Sequence, residues 1–237
     1  NEGVIATGND ATGMFTMGSN ATAYNSGSVT IGDLDLSDIL PDPVFGPEYE
    51  VAQMGYGVTA WGEALAQVVN YGSVTTGDGT VGVAARMYYA GYGYGAQLLQ
   101  NSDGVIVTGD DSTGARVAGN YSATLVNDGR ITVGDDSTGV DMSAGSVVLR
   151  RYDLSATIVE GTVLGSNTGI VETGDNSVGV RLDAMLDDVA YSGVALEFDP
   201  PGCSPLYPPC SYSLVNVTGS ADSIGAAYLT NSGTIRT

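Results

Sequence analysis

Hydrophobic and polar residues alternate along this chain in short bursts, each ended by glycine and a polar turn. Arg130-Ile131-Thr132-Val133 is typical, with apolar β-branched residues at every second position, the period-two pattern of a strand with one buried face. Gly134-Asp135-Asp136-Ser137 follows as turn chemistry: glycine adopts backbone shapes closed to other residues, and Asp or Ser side chains hydrogen-bond the backbone two residues on. Gly139-Val140 starts a second short strand, and stretches such as Ser122–Val126 and Ser155–Val159 supply a third.

The burst recurs. Its clearest copies are NSDGVIVTGDDSTGA (101–115), NDGRITVGDDSTGV (127–140) and NTGIVETGDNSVGV (167–180), with weaker ones at 1–14, 25–33, 70–83 and 231–237. The glycine that opens each phrase falls at 3, 27, 72, 104, 129, 169 and 233, giving spacings of 24, 45, 32, 25, 40 and 64. Self-similarity at such periods marks a repeat architecture in which no unit buries its apolar face alone and neighbours must stack. Three short strands and three turns per bare repeat predict an all-β fold, a parallel β-helix or solenoid of roughly seven to nine rungs with long loop insertions.

The whole chain, 1–237, reads as one domain, with insertions at about 34–67, 86–97 and 198–212. The first contains the breaker-rich Pro41–Pro47 and also Trp61–Val68, which reads either as one short helix or as another strand. The last spacing reads as two rungs, with a degraded phrase at Thr218–Ala226 between them. The second insertion concentrates Tyr88, Tyr89, Tyr92 and Tyr94 among glycines, a composition suited to a sticky interface or to a loop folded over the core edge.

Charge narrows the partners. Asp and Glu total 27 against 7 basic residues, all Arg, for a net charge of −20, and there is no Lys or His. Binding to nucleic acid needs cations to neutralise phosphates, and anionic lipid is disfavoured for the same reason. Without His, no Ser/His or Cys/His nucleophile system is available. No run of 18 apolar residues exists to span a membrane as a helix. Cys203 and Cys210, close together in a Pro-rich segment, read as a local disulfide formed in an oxidising compartment.

The cadence N-x-G-x-I/V-x-T-G-D-x-S-x-G-V, preceded by S/A-A-T-x-V, resembles the passenger regions of bacterial autotransporters and related surface adhesins. The best copies cover about 100–180, and weaker ones reach both ends. The resemblance implies a right-handed coil, export across a Gram-negative envelope and display at the outer cell surface. This sequence lacks the long membrane β-barrel that ends such proteins, so how it would cross an outer membrane is left open.

Several constellations invite chemistry. Stacked repeats would line up the turn residues Asp110, Asp111, Asp135, Asp136 and Asp175, and calcium, a hard cation with six to eight oxygen ligands, is the metal such a column could hold. Solvated turn residues are the simpler reading. The same Asp pairs could serve a polysaccharide-processing enzyme, but adjacent strand residues point to opposite faces and the usual His and Lys helpers are missing. The chain starts at Asn1 and stops at Thr237 inside repeat phrases, so Val4, Ile5, Thr234 and Ile235 are candidate assembly positions, where one copy's last strand meets the next copy's first. The expectation is a non-enzymatic, extracellular structural or adhesive element that self-associates head-to-tail or laterally. Its alternatives are an adhesin that binds cell-surface glycans or proteins through the Tyr-rich loop, and a polysaccharide-processing enzyme.

Overall fold

The computed structural model describes residues 1–35, 55–87, 95–149, 156–199 and 211–237. Among them every regular element is a strand and none is a helix. Each repeat phrase gives one three-residue strand to a seven-stranded sheet: β1 (Val4–Ala6), β3 (Ser28–Thr30), β5 (Ser73–Thr75), β8 (Val105–Val107), β11 (Arg130–Thr132), β16 (Ile170–Glu172) and β21 (Thr234–Arg236). The order in the sheet is the order in the chain, and all pairs are parallel. Their middle residues align in one column, of which Val29, Val74, Ile106, Ile131 and Val171 are fully buried.

The second sheet has ten strands and two halves. Two long strands, β2 (Met14–Asn25) and β4 (Tyr56–Asn70), run through both halves. The first half continues with β6 (Val81–Met87), β9 (Thr113–Gly119), β12 (Thr138–Ala144) and β17 (Val178–Asp183). The second continues with β7 (Gly95–Gln100), β10 (Ser122–Asn127), β15 (Thr162–Asn167) and β20 (Ala226–Asn231). All of these pairs are parallel, and β6, β9, β12 and β17 come close to β7, β10, β15 and β20, so the sheet curls into a nearly closed, barrel-like arrangement. Valine, isoleucine, leucine and alanine from both sheets fill one core.

Two antiparallel hairpins leave this framework: β13 (Ser146–Leu149) with β14 (Ala156–Val159), and β18 (Met185–Asp199) with β19 (Ser211–Ile224). They lie beside one another, β13 next to β18 and β14 next to β19.

Two sequence expectations change. Trp61–Val68 belongs to β4, whose edges are taken up by β2 on one side and by β6 and β7 on the other, so the strand reading holds and the helix does not form. Thr218–Ile224 is part of the hairpin strand β19, and β16 pairs directly with β21, so no extra repeat separates them. The 64-residue spacing is one repeat enlarged by a long hairpin.

Candidate functional site

The aspartates form a hydrogen-bonded column. In each Gly-Asp turn, the first acidic or amide residue turns its side chain toward the next repeat and accepts that repeat's backbone N–H. Asn9 Oδ1 accepts from Asp33, Asp33 from Asp78, Asp78 from Asp110, Asp110 from Asp135, and Asp135 from Asp175, over 3.1 to 2.7 Å. The glycine before each Asp leaves room for this. A Cβ on Gly134 would sit 2.1 Å from Asp110 Oδ1 and 2.8 Å from its backbone nitrogen.

The second turn residue adopts the left-handed region, with φ of 56° at Asp10, 53° at Asp111, 52° at Asp136 and 54° at Asn176. Asp and Asn tolerate this shape better than other side chains, and Gly79 takes the position once, at φ 68°. Serine closes the turn from the opposite direction. Ser112 donates to the Asp110 carbonyl while its own N–H donates to Ser137 Oγ; Ser137 repeats both bonds with Asp135 and Ser177, and the Ser177 hydroxyl donates to the Asp175 carbonyl.

The calcium candidates Asp110, Asp111, Asp135, Asp136 and Asp175 therefore occupy two structural positions of one turn. Asp110 and Asp135 each have a carboxylate oxygen engaged by backbone. Among the described residues no group of three acidic, Cys or His side chains converges as a metal ligand set.

The Asn-x-Gly corner carries a second column. Asn1 donates its amide to Asn25, Asn25 to Asn70 and Asn70 to Gln100; Asn127 donates to Asn167 and Asn167 to Asn231. Asn25, Asn70 and Asn127 are fully buried, so each bond replaces water that cannot enter. The column breaks once. Gln100 takes the asparagine position in a loop two residues longer than the Asn70-Tyr71-Gly72 turn, and its amide donates to the carbonyls of Gly104 and Arg130. Asn127 Oδ1 is left buried without a hydrogen bond. Sequence reading identified the phrase but not this column; asparagine recurring two positions before the opening glycine was the available signal.

The assembly candidates are split by the fold. Val4 and Ile5 lie on β1 and Thr234 and Ile235 on β21, the opposite edges of the seven-stranded sheet, so one molecule does not bring them together. Val4 is exposed, and Ile5 and Ile235 pack against the ends of the core half-buried. Tyr88, Tyr89, Tyr92, Tyr94, Cys203 and Cys210 lie outside the described residues.

The remaining corner joins the two halves of the ten-stranded sheet, and here the repeats diverge. β2 and β4 run straight through it, β9 passes to β10 by Asn120-Tyr121, and both hairpins leave from it. Arginines brace the flanking surfaces. Arg116 and Arg181 share Asp141 across three strands, Arg130 and Arg236 share Glu172, and Arg86 stacks 5.1 Å over Trp61 while donating to the Tyr56 hydroxyl.

No protein-family model, no curated protein sequence and no solved structure matches this chain.

Proposed function

We propose that the chain is a right-handed parallel β-helix acting as a non-enzymatic structural scaffold, exported and displayed at a cell surface like the passenger regions its repeat phrase resembles. The observation that carries this reading is the Gly-Asp column. Of the acidic residues that would have to serve as catalytic groups or calcium ligands, Asp110 and Asp135 tie neighbouring repeats together by accepting backbone N–H groups, and Asp111 and Asp136 fill the left-handed turn position. The coil itself is supported by the order of the strands: every phrase contributes one strand to the seven-stranded sheet, each of the first six is followed by strand in both halves of the other sheet, and each strand pairs with its counterpart in the next repeat. Such an element resists local opening because each coil shares its core and its polar columns with its neighbours.

Self-association follows as part of the proposal. The columns run with one polarity, carboxylate to the following N–H and amide to the following oxygen. β1 and β21 each pair along a single edge among the described residues. A second copy stacked head-to-tail would continue sheet, core and columns together. Electron micrographs of the purified protein test this: chains of varying length, thickened nowhere along their axis, are expected. Discrete particles of uniform size, with no chains among them, would overturn the polymer.

A further inference from the structure

We propose that the outward face of the second half of the ten-stranded sheet binds a neutral, extended polysaccharide chain, a partner for the scaffold reading on which this inference rests. The face is built from the last six residues of β2 and β4 (20–25 and 65–70) and from the six residues each of β7, β10, β15 and β20. None of these six hexapeptides contains a charged residue, although the chain carries 27 acidic residues and a net charge of −20. The other outward surfaces differ: the first half of the sheet carries Arg86, Arg116, Asp141, Arg181 and Asp183, and the seven-stranded sheet carries Arg130, Glu172 and Arg236.

Parallel register turns alternation into columns. Ala21, Ala66, Ala96 and Ala123, and Ala23, Val68, Leu98 and Leu125, point into the core. Between them the outward residues line up as Thr22, Gln67, Gln97, Thr124, Leu164 and Tyr228, and beside these as Tyr24, Val69, Leu99, Val126, Ser166 and Thr230. Every one of these outward residues is exposed or half-buried. Over β2, β4, β7 and β10 one column therefore offers hydroxyls and amides, with Gln67 donating to Gln97 at 3.2 Å, next to an apolar stripe of Tyr24, Val69, Leu99 and Val126; on β15 and β20 the two characters exchange sides, with Leu164 and Tyr228 beside Ser166 and Thr230. Tyr24, 45% exposed and paired with the Tyr71 ring at 5.5 Å, ends that stripe in an aromatic platform.

An amphipathic strip of this kind matches a sugar chain, whose rings have apolar faces and hydroxyl rims. The columns repeat at the strand spacing of about 4.8 Å, a length suited to successive sugar rings. Charge selects the ligand class: on a strongly acidic protein an anionic glycan is repelled, and a cationic one finds no carboxylate on this face. Size argues against a second copy. Six strands five residues deep make roughly 25 by 17 Å, on the order of 400 Å², about half of what each side of a stable protein interface covers.

The test is retention of the whole protein on insoluble cellulose, chitin and a (1→3)-β-glucan, with polygalacturonate as the anionic control. The proposal expects retention on at least one neutral polymer, undiminished by salt, and none on polygalacturonate. Gln97→Glu and Leu99→Glu, each placing a carboxylate mid-strip without touching the core, should weaken retention about tenfold or more. Circular dichroism establishes that each variant stays folded, and Thr124→Ser serves as a conservative replacement expected to retain binding. Loss of retention only in variants that unfold would overturn the proposal, and so would absence of retention on all three neutral polymers, or retention unchanged in folded Gln97→Glu and Leu99→Glu. A folded protein that binds none of them sinks the glycan site while leaving the scaffold intact; a retained protein that shows only discrete particles in micrographs sinks the polymer while leaving the glycan site.

Discussion

Two of the three corners in each repeat are held by side-chain columns, and the third is left to vary. At the Gly-Asp corner five successive repeats each present a backbone N–H to the carboxylate or amide oxygen of the repeat before, through an approach only glycine permits. At the Asn-x-Gly corner buried amides bond to each other. At the corner between the halves of the ten-stranded sheet, by contrast, the chain runs on as strand, turns in two residues or departs into hairpins. Uniformity thus follows the columns: where a side chain must meet its copy one repeat on, the sequence repeats, and where it need not, insertions are accepted.

The sharpest way to break this contrast is glycine substitution. Gly134→Ala pushes a methyl to 2.1 Å from Asp110 Oδ1 and should cost more than about 3 kcal/mol. Gly18→Ala, at the variable corner with nothing within 4 Å of the new methyl, should leave the thermal midpoint nearly unchanged. Next in size is Asn167→Ala, which strips partners from both Asn127 and Asn231 and should destabilise by about 2 to 4 kcal/mol in urea unfolding. The broken link predicts a gain. Gln100→Asn combined with deletion of Ser102 and Asp103 should give Asn127 Oδ1 its missing donor and add about 1 kcal/mol. Smallest is excision of 145–161 at the variable corner, joining Ala144 to Thr162 through the Asn-Tyr linker that serves β9 and β10. Thermal unfolding should shift by less than about 1 kcal/mol, because the flanking strands keep their parallel partners.

Much of this was legible in the sequence. The seven phrases found from glycine spacing match the seven strands of one sheet, and β-branched alternation gave Ile131 and Val171 their inward direction. Trp61–Val68 was ambiguous because Glu63-Ala64-Leu65-Ala66 is locally a good helix former; only pairing along both edges makes it strand. Thr218–Ala226 resembled a phrase because TGS and SIG copy its glycine spacing, while in the fold Thr218–Ile224 ends the return strand of a hairpin and pairs antiparallel with β18. The role of the aspartates was half visible. Turn chemistry follows from Gly-Asp-Asp-Ser alone, but the bond from each carboxylate to the following repeat depends on register, which no single phrase encodes. The uncharged strip was present in six hexapeptides scattered over the chain and became one face only when the strands aligned.

The Asp column is a hydrogen-bonded staple between repeats. Asparagine can replace aspartate as an acceptor, as Asn9 already does at one end, and alanine cannot. The direct measurement is urea unfolding of Asp110→Asn/Asp135→Asn beside Asp110→Ala/Asp135→Ala, with and without calcium. The account predicts the Asn variant within about 1 kcal/mol of the parent, the Ala variant lower by about 2 to 5 kcal/mol, and no calcium dependence in either. An Asn variant as unstable as the Ala variant, or a parent stabilised by calcium where both variants are not, would contradict it.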